Sequence, residues 1–167
     1  MEGVSEDRVT VRRAVDTDEA ALLRIELTAW DASSGFPSFT PEDRTTFFTE
    51  RSGPDAHLVA EEEGVVLGYI RLQDKYPFPE GVGVLSVNGI AVAESARGRG
   101  IGSTLLDAVT AEAKRRGVRK ITLHVFASNV VARRLYERQG YVLEGTHPRE
   151  FLIEGQFVDS LDLAKFL

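Results

Sequence analysis

The stretch Arg97-Gly98-Arg99-Gly100-Ile101-Gly102-Ser103-Thr104 decides how this chain folds, because it joins two segments of opposite periodicity at a local cost. Before it lies the apolar run Val84 to Val92. After it, Ile101, Leu105, Ala108, Val109 and Ala113 recur at the spacing of one helix face, while Asp107, Glu112, Lys114, Arg115 and Arg116 take the remainder. The pattern predicts a strand, a sharp turn and an amphipathic helix. Each of the three glycines disfavours helix by about 0.8–1 kcal/mol relative to alanine, and bare backbone stands where a side-chain cap is usual. Such a start exposes unpaired N–H groups at the positive end of the helix dipole, and Arg97 and Arg99 add full charge beside them. A phosphate or pyrophosphate is the ligand this chemistry suits.

Two phosphate-binding patterns fit poorly. A nucleoside triphosphate loop requires a lysine that is missing here. A dinucleotide fingerprint asks for glycine where Ser103 stands, and for an acid at the end of the next strand, which reads Leu123-His124-Val125-Phe126. A turn used only for tight strand-to-helix packing stays open as the alternative.

The whole chain narrows the field further. Its 167 residues suit one domain, 1–167, with residues 1–7 polar and flexible. A net charge of −6 argues against general nucleic-acid binding and makes the basic residues around the loop local devices. Zero cysteines exclude disulfides, thiolate catalysis and cysteine-ligated metal, and no metal site is expected. With no apolar stretch approaching membrane-spanning length and no signal-like start, a soluble cytoplasmic protein without a membrane partner is expected.

Along the chain, Val9 to Ala14 alternates as a first strand, and Asp16 or Thr17 opens a helix whose face carries Ala21, Leu22, Ile25 and Ala29. Residues 31–40 read as a loop in which Phe36 and Phe39, with Trp30 before them, either line a site or cap the core. Pro41 after Thr40 predicts a second helix through Glu50. From His57 the period becomes two. His57 to Glu61, a Glu63-Gly64 turn and Val65 to Gln73 form a hairpin, with Gly68 a candidate bulge. A loop over 74–83 leads to the strand Val84 to Ala93; Gly117 stops the following helix, and Lys120 to Phe126 is the next strand. Asn129 starts a helix that Gly140 ends. Strands are predicted at Tyr141 to Glu144, Arg149 to Ile153 and Phe157 to Leu163.

In the second chemical stretch, Asn129 and Tyr136 stand two helical turns apart and so fall on nearly one face. Together, Arg97-x-x-Gly100-x-Gly102 and Asn129-x-x-Ala132-x-x-Leu135-Tyr136-x-x-x-Gly140-Tyr141 resemble the GNAT superfamily of N-acetyltransferases, over roughly residues 9 to 167. The resemblance implies an α/β (α+β) fold with a mixed, mostly antiparallel sheet of about seven strands flanked by about four helices. It implies acetyl-CoA as co-substrate and direct transfer of acetyl to an amine on a small molecule, peptide or protein. A non-catalytic acyl-CoA-binding or sensing domain is the alternative, and monomer and homodimer are both compatible.

Site roles follow from the same resemblance. Arg97, Gly98, Arg99, Gly100, Ile101, Gly102 and Ser103 match the pyrophosphate loop. The backbone of Ile90, Ala91 and Val92 matches the strand edge that takes the pantetheine arm, Asn129 matches a cofactor contact, and Tyr136 matches the general acid. Where some members carry a glutamate base, counting back from Arg97 gives Ser86. His124 is therefore the tentative base or proton relay, because an imidazole titrates nearest neutrality and because His124 alternates away from Ile121, Leu123 and Val125. Glu94, Glu150 and Asp159 are weaker candidates, and a water relay would need none of them.

Overall fold

The computed structural model describes residues 8–30, 34–36 and 44–167. Among these residues seven strands are present: β1 (Thr10–Arg13), β2 (His57–Glu62), β3 (Val65–Asp74), β4 (Val84–Val92), β5 (Lys120–Phe126), β6 (Val142–Ile153) and β7 (Gln156–Phe166). Three α-helices are found among the described residues: α1 (Glu19–Ala29), α2 (Ile101–Arg115) and α3 (Val130–Arg138). The strands form one sheet in the order β1-β2-β3-β4-β5-β7-β6. Every neighbouring pair is antiparallel except β4 with β5.

Period-two alternation sorts the strand residues between two cores on opposite faces of this sheet. Leu105, Leu106, Val109 and Ala113 of α2 are buried in one cluster with Ile70, Leu85, Ile121 and Leu123, and Tyr136 and Tyr141 join it. Leu22 and Ile25 of α1 pack on the other face with Phe47, Val59, Tyr69 and Ala91. Burial of each such aliphatic side chain stabilises the fold by about 1.5–3 kcal/mol, which is why α2 reads so clearly in the sequence. Ahead of α1, Asp18 is buried; it accepts from the Arg12 guanidinium at 2.8 and 2.9 Å and from the Val15 N–H at 2.8 Å.

The helix predicted over 41–50 is absent from its described part. Residues 41–43 lie outside the described residues, and from Arg44 to Glu50 the chain is non-helical, ending at a Thr49–Ser52 bridge. Tertiary contacts override the local signal. The Glu19 carboxylate takes the N–H groups of Phe47 (2.6 Å) and Phe48 (3.4 Å), and Phe47 is buried with its ring 5.0 Å from His57 and 4.9 Å from Tyr69. About four helices were expected; this segment accounts for the difference.

Two bulges shape the β2–β3–β4 part of the sheet. In the β2–β3 hairpin the extra residue is Leu67, not Gly68. Gly68 serves another end, since a Cβ there would stand 2.8 Å from the Ala91 carbonyl oxygen, so its absence lets β3 and β4 close. The second bulge leaves Asn88 of β4 without an opposite residue, between the pairs Arg71–Gly89 and Leu72–Val87. At the far edge, the two short strands expected over 141–153 are one strand, β6. Pro148 and Arg149, the latter at φ 54°, shift its register against β7 without ending it.

Candidate active site

The parallel pair β4–β5 is where the sheet opens. Its register runs only from Val84–Lys120 to Val87–Leu123. Beyond the Asn88 bulge, β4 stays paired with β3 as far as Val92, and β5 stays paired with β7 as far as Phe126. The edges of β4 and β5 that face each other over these last residues therefore have no strand partner. A wedge results, lined by unpaired backbone groups that a ligand with amides of its own can satisfy. Because the two strands are parallel, both deliver helix N-termini, of α2 and α3, to the same end of the wedge.

At the start of α2, Gly98 and Gly100 have φ of 78° and 76°, the left-handed region in which a side chain costs about 1–2 kcal/mol. Gly100 is the N-cap and supplies no side-chain bond. The Thr104 N–H is the first to reach back, to the Gly100 carbonyl at 3.0 Å, which leaves the N–H groups of Ile101, Gly102 and Ser103 without a backbone partner. Arg97 is exposed beside them, and Arg99 pairs with Glu62 at 3.0 Å. Gly102 also has a packing role. A Cβ there would meet Leu135 Cδ2 of α3 at 3.0 Å, so Gly102 seats α2 against α3.

Asn129 is the N-cap of α3, its Oδ1 accepting from the Ala132 N–H at 3.2 Å; only its amide N–H groups remain for a ligand. Tyr136 is buried on the α2–α3 face, with its ring 6.0 Å from that of Tyr141. Burial pushes the Tyr136 phenol up to about 12, so it holds its proton at neutral pH. Ile90 packs on the same face and Ala91 on the opposite one, as alternation along β4 requires.

The opposite face carries His124, the first β5 residue past the last β4–β5 pair. Its ring is 57% exposed and its Nδ1 lies 2.5 Å from Asp162 Oδ1, directly across on β7. Asp162 Oδ2 also meets His147 Nε2 of β6 at 2.8 Å. Partial burial pushes the Asp162 carboxyl up, but hydrogen bonds from His147 and His124 outweigh that and hold it below its ordinary value. An ionised carboxylate only accepts, so the proton of neutral His124 sits on Nδ1 and the lone pair on Nε2. Ser86, by contrast, is buried and donates to Asn88 Oδ1 at 2.8 Å, with no carboxylate chemistry to offer. Asp159 accepts the Arg149 N–H at 2.8 Å, Glu94 lies in the turn after β4, and Glu150 is exposed on β6. Phe36 reaches this face too, 5.2 Å from Phe126 and 4.7 Å from Phe151; Phe39 lies outside the described residues.

Sequence reasoning missed Asp162, which becomes visible only once β7 pairs with β5. It also missed Arg71 on β3, whose signal was a cation inside the otherwise apolar Tyr69-Ile70-Arg71-Leu72. Among the described residues no side-chain group has metal-holding geometry, and no helix is long and apolar enough to cross a membrane.

The model of the acetyltransferase (GNAT) family matches residues 22–141, well over half of the chain and spanning both helix N-termini and the wedge. This chain belongs to the GNAT family. It is an N-acetyltransferase that uses acetyl-CoA. YwnH of Bacillus subtilis is 31% identical, over 72% of this chain and 74% of YwnH. An L-methionine sulfoximine/L-methionine sulfone acetyltransferase of Pseudomonas aeruginosa is 26% identical, over 90% of each chain. Among solved structures, the ribosomal-protein-alanine N-acetyltransferase of Brucella melitensis superposes with a TM-score of 0.74 at 28% identity, covering 95% of this chain and 99% of that one.

Proposed function

We propose that this GNAT enzyme moves acetyl directly from acetyl-CoA to an amine of amino-acid type, in a ternary complex held across the β4–β5 wedge. The observation that carries this is the opening of the sheet after Val87, with the unpaired α2 amides at its end. In this reading the CoA pyrophosphate rests on residues 97–103, against the free N–H groups of Ile101, Gly102 and Ser103. The pantetheine arm lies along the backbone of Ile90, Ala91 and Val92, and Asn129 donates its remaining amide hydrogens. The acceptor class is supported by two relatives whose substrates are L-methionine sulfoximine or sulfone in one case and ribosomal-protein alanine in the other.

The two faces of the wedge divide the proton work. An amine arrives mainly as ammonium and must lose a proton before it attacks; His124 Nε2 takes that proton, with Asp162 fixing the ring and stabilising the imidazolium. The nitrogen then adds to the thioester carbon, and a β4 N–H stabilises the oxygen as it gains negative charge. When the C–S bond breaks, Tyr136 on the other face gives its phenolic proton to the thiolate, the nitrogen sheds its second proton through solvent to restore the phenol, His124 returns its proton to solvent, and the amide and CoA leave. Base and acid on opposite sides of the sheet suit a reaction in which nucleophile and leaving group part to opposite sides of one carbon.

The test is steady-state turnover of acetyl-CoA with amino acids and N-terminal peptides, in wild type, Tyr136→Phe and His124→Gln. Tyr136→Phe lowers kcat by up to about 10²–10⁴-fold at unchanged CoA affinity, the range general acid catalysis supplies. His124→Gln lowers kcat across the rate profile at unchanged CoA affinity. Superimposable profiles would take His124 out of the mechanism and leave a water relay. Unchanged turnover would reduce Tyr136 to packing.

A further inference from the structure

Arg71 is a cation without an ion-pair partner among the described residues. Its Nη1 donates to Ser52 Oγ at 3.3 Å and its Nη2 to the Asn88 carbonyl at 3.0 Å, whereas its Nε is enclosed and has no partner. Neither partner carries charge, and no carboxylate lies within ion-pair distance of Arg71 among the described residues. Glu26, which contributes a field at Arg71, is already engaged: it pairs with Arg44 at 3.4 Å and accepts from the Tyr69 hydroxyl. Among the described residues two guanidiniums thus share one carboxylate, an excess of one positive charge in that group of three. Burial, opposed by Glu26 and aided by Arg44, makes the charged form of Arg71 harder to hold than that of a solvated arginine. A partly desolvated guanidinium is costly unless an anion completes it.

Its location says which anion. Arg71 pairs with Gly89 across β3–β4, so its Cα stands about 5 Å from the strand edge that lines the wedge. Its Nη2 bond to Asn88 draws the guanidinium over the bulge at which β4 leaves β5. Arg71 alternates with Ile70, and Tyr69 two residues before it belongs to the α1-side core, so Arg71 faces the side that carries His124.

We propose that Arg71 is the specificity-determining residue of the acceptor site and that the acceptor is an α-amino acid, its carboxylate on the Arg71 guanidinium and its amine at the thioester. This rests on the transfer reading for the position of the amine. A guanidinium held over the bulge matches the two oxygens of a carboxylate carried next to the amine.

Two measurements test it. The enzyme–CoA complex is titrated with a panel of L-amino acids, including L-methionine sulfone, and with the carboxamide of each, while the Arg71 Nε–H resonance is followed. At least one acid shifts that resonance saturably and its carboxamide does not. Then kcat/KM is compared for the acid and carboxamide in wild type, Arg71→Gln and Arg71→Lys. Wild type prefers the acid by about 10–100-fold, as expected for a charged hydrogen-bonded contact. Arg71→Gln loses that preference through KM with CoA affinity unchanged, and Arg71→Lys recovers part of it. If Arg71→Gln does not fold, the wild-type titration decides alone. No shift with any acid, equal use of acid and carboxamide, or a preference kept in Arg71→Gln each overturns the proposal. A saturable shift without turnover would instead sink the transfer reading, whereas turnover blind to the carboxylate would sink only this one.

Discussion

Gly100→Val separates two costs that a single glycine otherwise hides. Gly100 caps α2 at φ 76° and ψ 17°, and nothing lies within 4 Å of where its Cβ would stand. The substitution therefore meets no clash inside the protein. It costs backbone strain of about 1–2 kcal/mol, which for a domain of this size lowers Tm by about 2–8 °C. The added methyl groups project into the open space before the free N–H groups of residues 101–103, where the pyrophosphate is proposed to sit. Hydrogen bonds to a charged group contribute about 1.5–3 kcal/mol each, so displacing even one weakens CoA binding at least about tenfold. Gly155→Val is the control. Gly155 has the same φ of 76° and the same open surroundings, but it lies in the β6–β7 turn, so its variant shows comparable strain with unchanged CoA affinity. Calorimetric titration with CoA and a thermal melt are run on both. A folded Gly100→Val that binds CoA as wild type does would refute the pyrophosphate assignment.

Other consequences follow from the charged groups. Arg12 holds the buried Asp18 carboxyl below its usual range, so the contribution of Asp18 is present above about pH 4, the unfolded value, and is lost as pH falls through the lower folded one. Asp18→Asn should lower stability by about 1–3 kcal/mol at neutral pH, with the difference from wild type shrinking in acid denaturation. Asp162 raises His147, so their pairing is complete below about pH 6.5 and is lost as pH rises through the folded value. Proton NMR titration of Asp162→Asn should return His147 toward an ordinary imidazole; an unmoved titration would mean that Glu150, not Asp162, sets it. Gly102→Ala should disturb α2–α3 packing and bring only a small loss of CoA affinity, in contrast to Gly100→Val. Equal losses in the two variants would contradict the separate roles of these glycines.

Much of the fold was legible because local and long-range preferences agree. α2 and β5 show it well: the apolar spacing of Leu105, Val109 and Ala113, and of Ile121, Leu123 and Val125, is the same set that fills the core. The segment 44–50 was misread because its helix signal is local, whereas Glu19, 28 residues from Phe47, captures the amides. Two strands were expected where β6 is one, because the register that carries β6 along β7 past residues 145–148 is not visible in sequence. In the site, the glycine loop and Tyr136 stood out by motif. The wedge itself depends on the Asn88 bulge, a pairing property with no local marker. Asp162 emerges only when β7 lies beside β5, and Arg71, marked in sequence as a cation in an apolar strand, gains its meaning only when β3 pairs with β4.

The crystal structure of the CoA complex tests the central claim most directly. Pyrophosphate oxygens are expected about 3 Å from the N–H groups of Ile101, Gly102 and Ser103, with pantetheine amides bonded to β4 between Gly89 and Val92 and the sulfur beside the Tyr136 hydroxyl. A cofactor bound elsewhere, with the edges of β4 and β5 beyond Val87 still unoccupied, would contradict it.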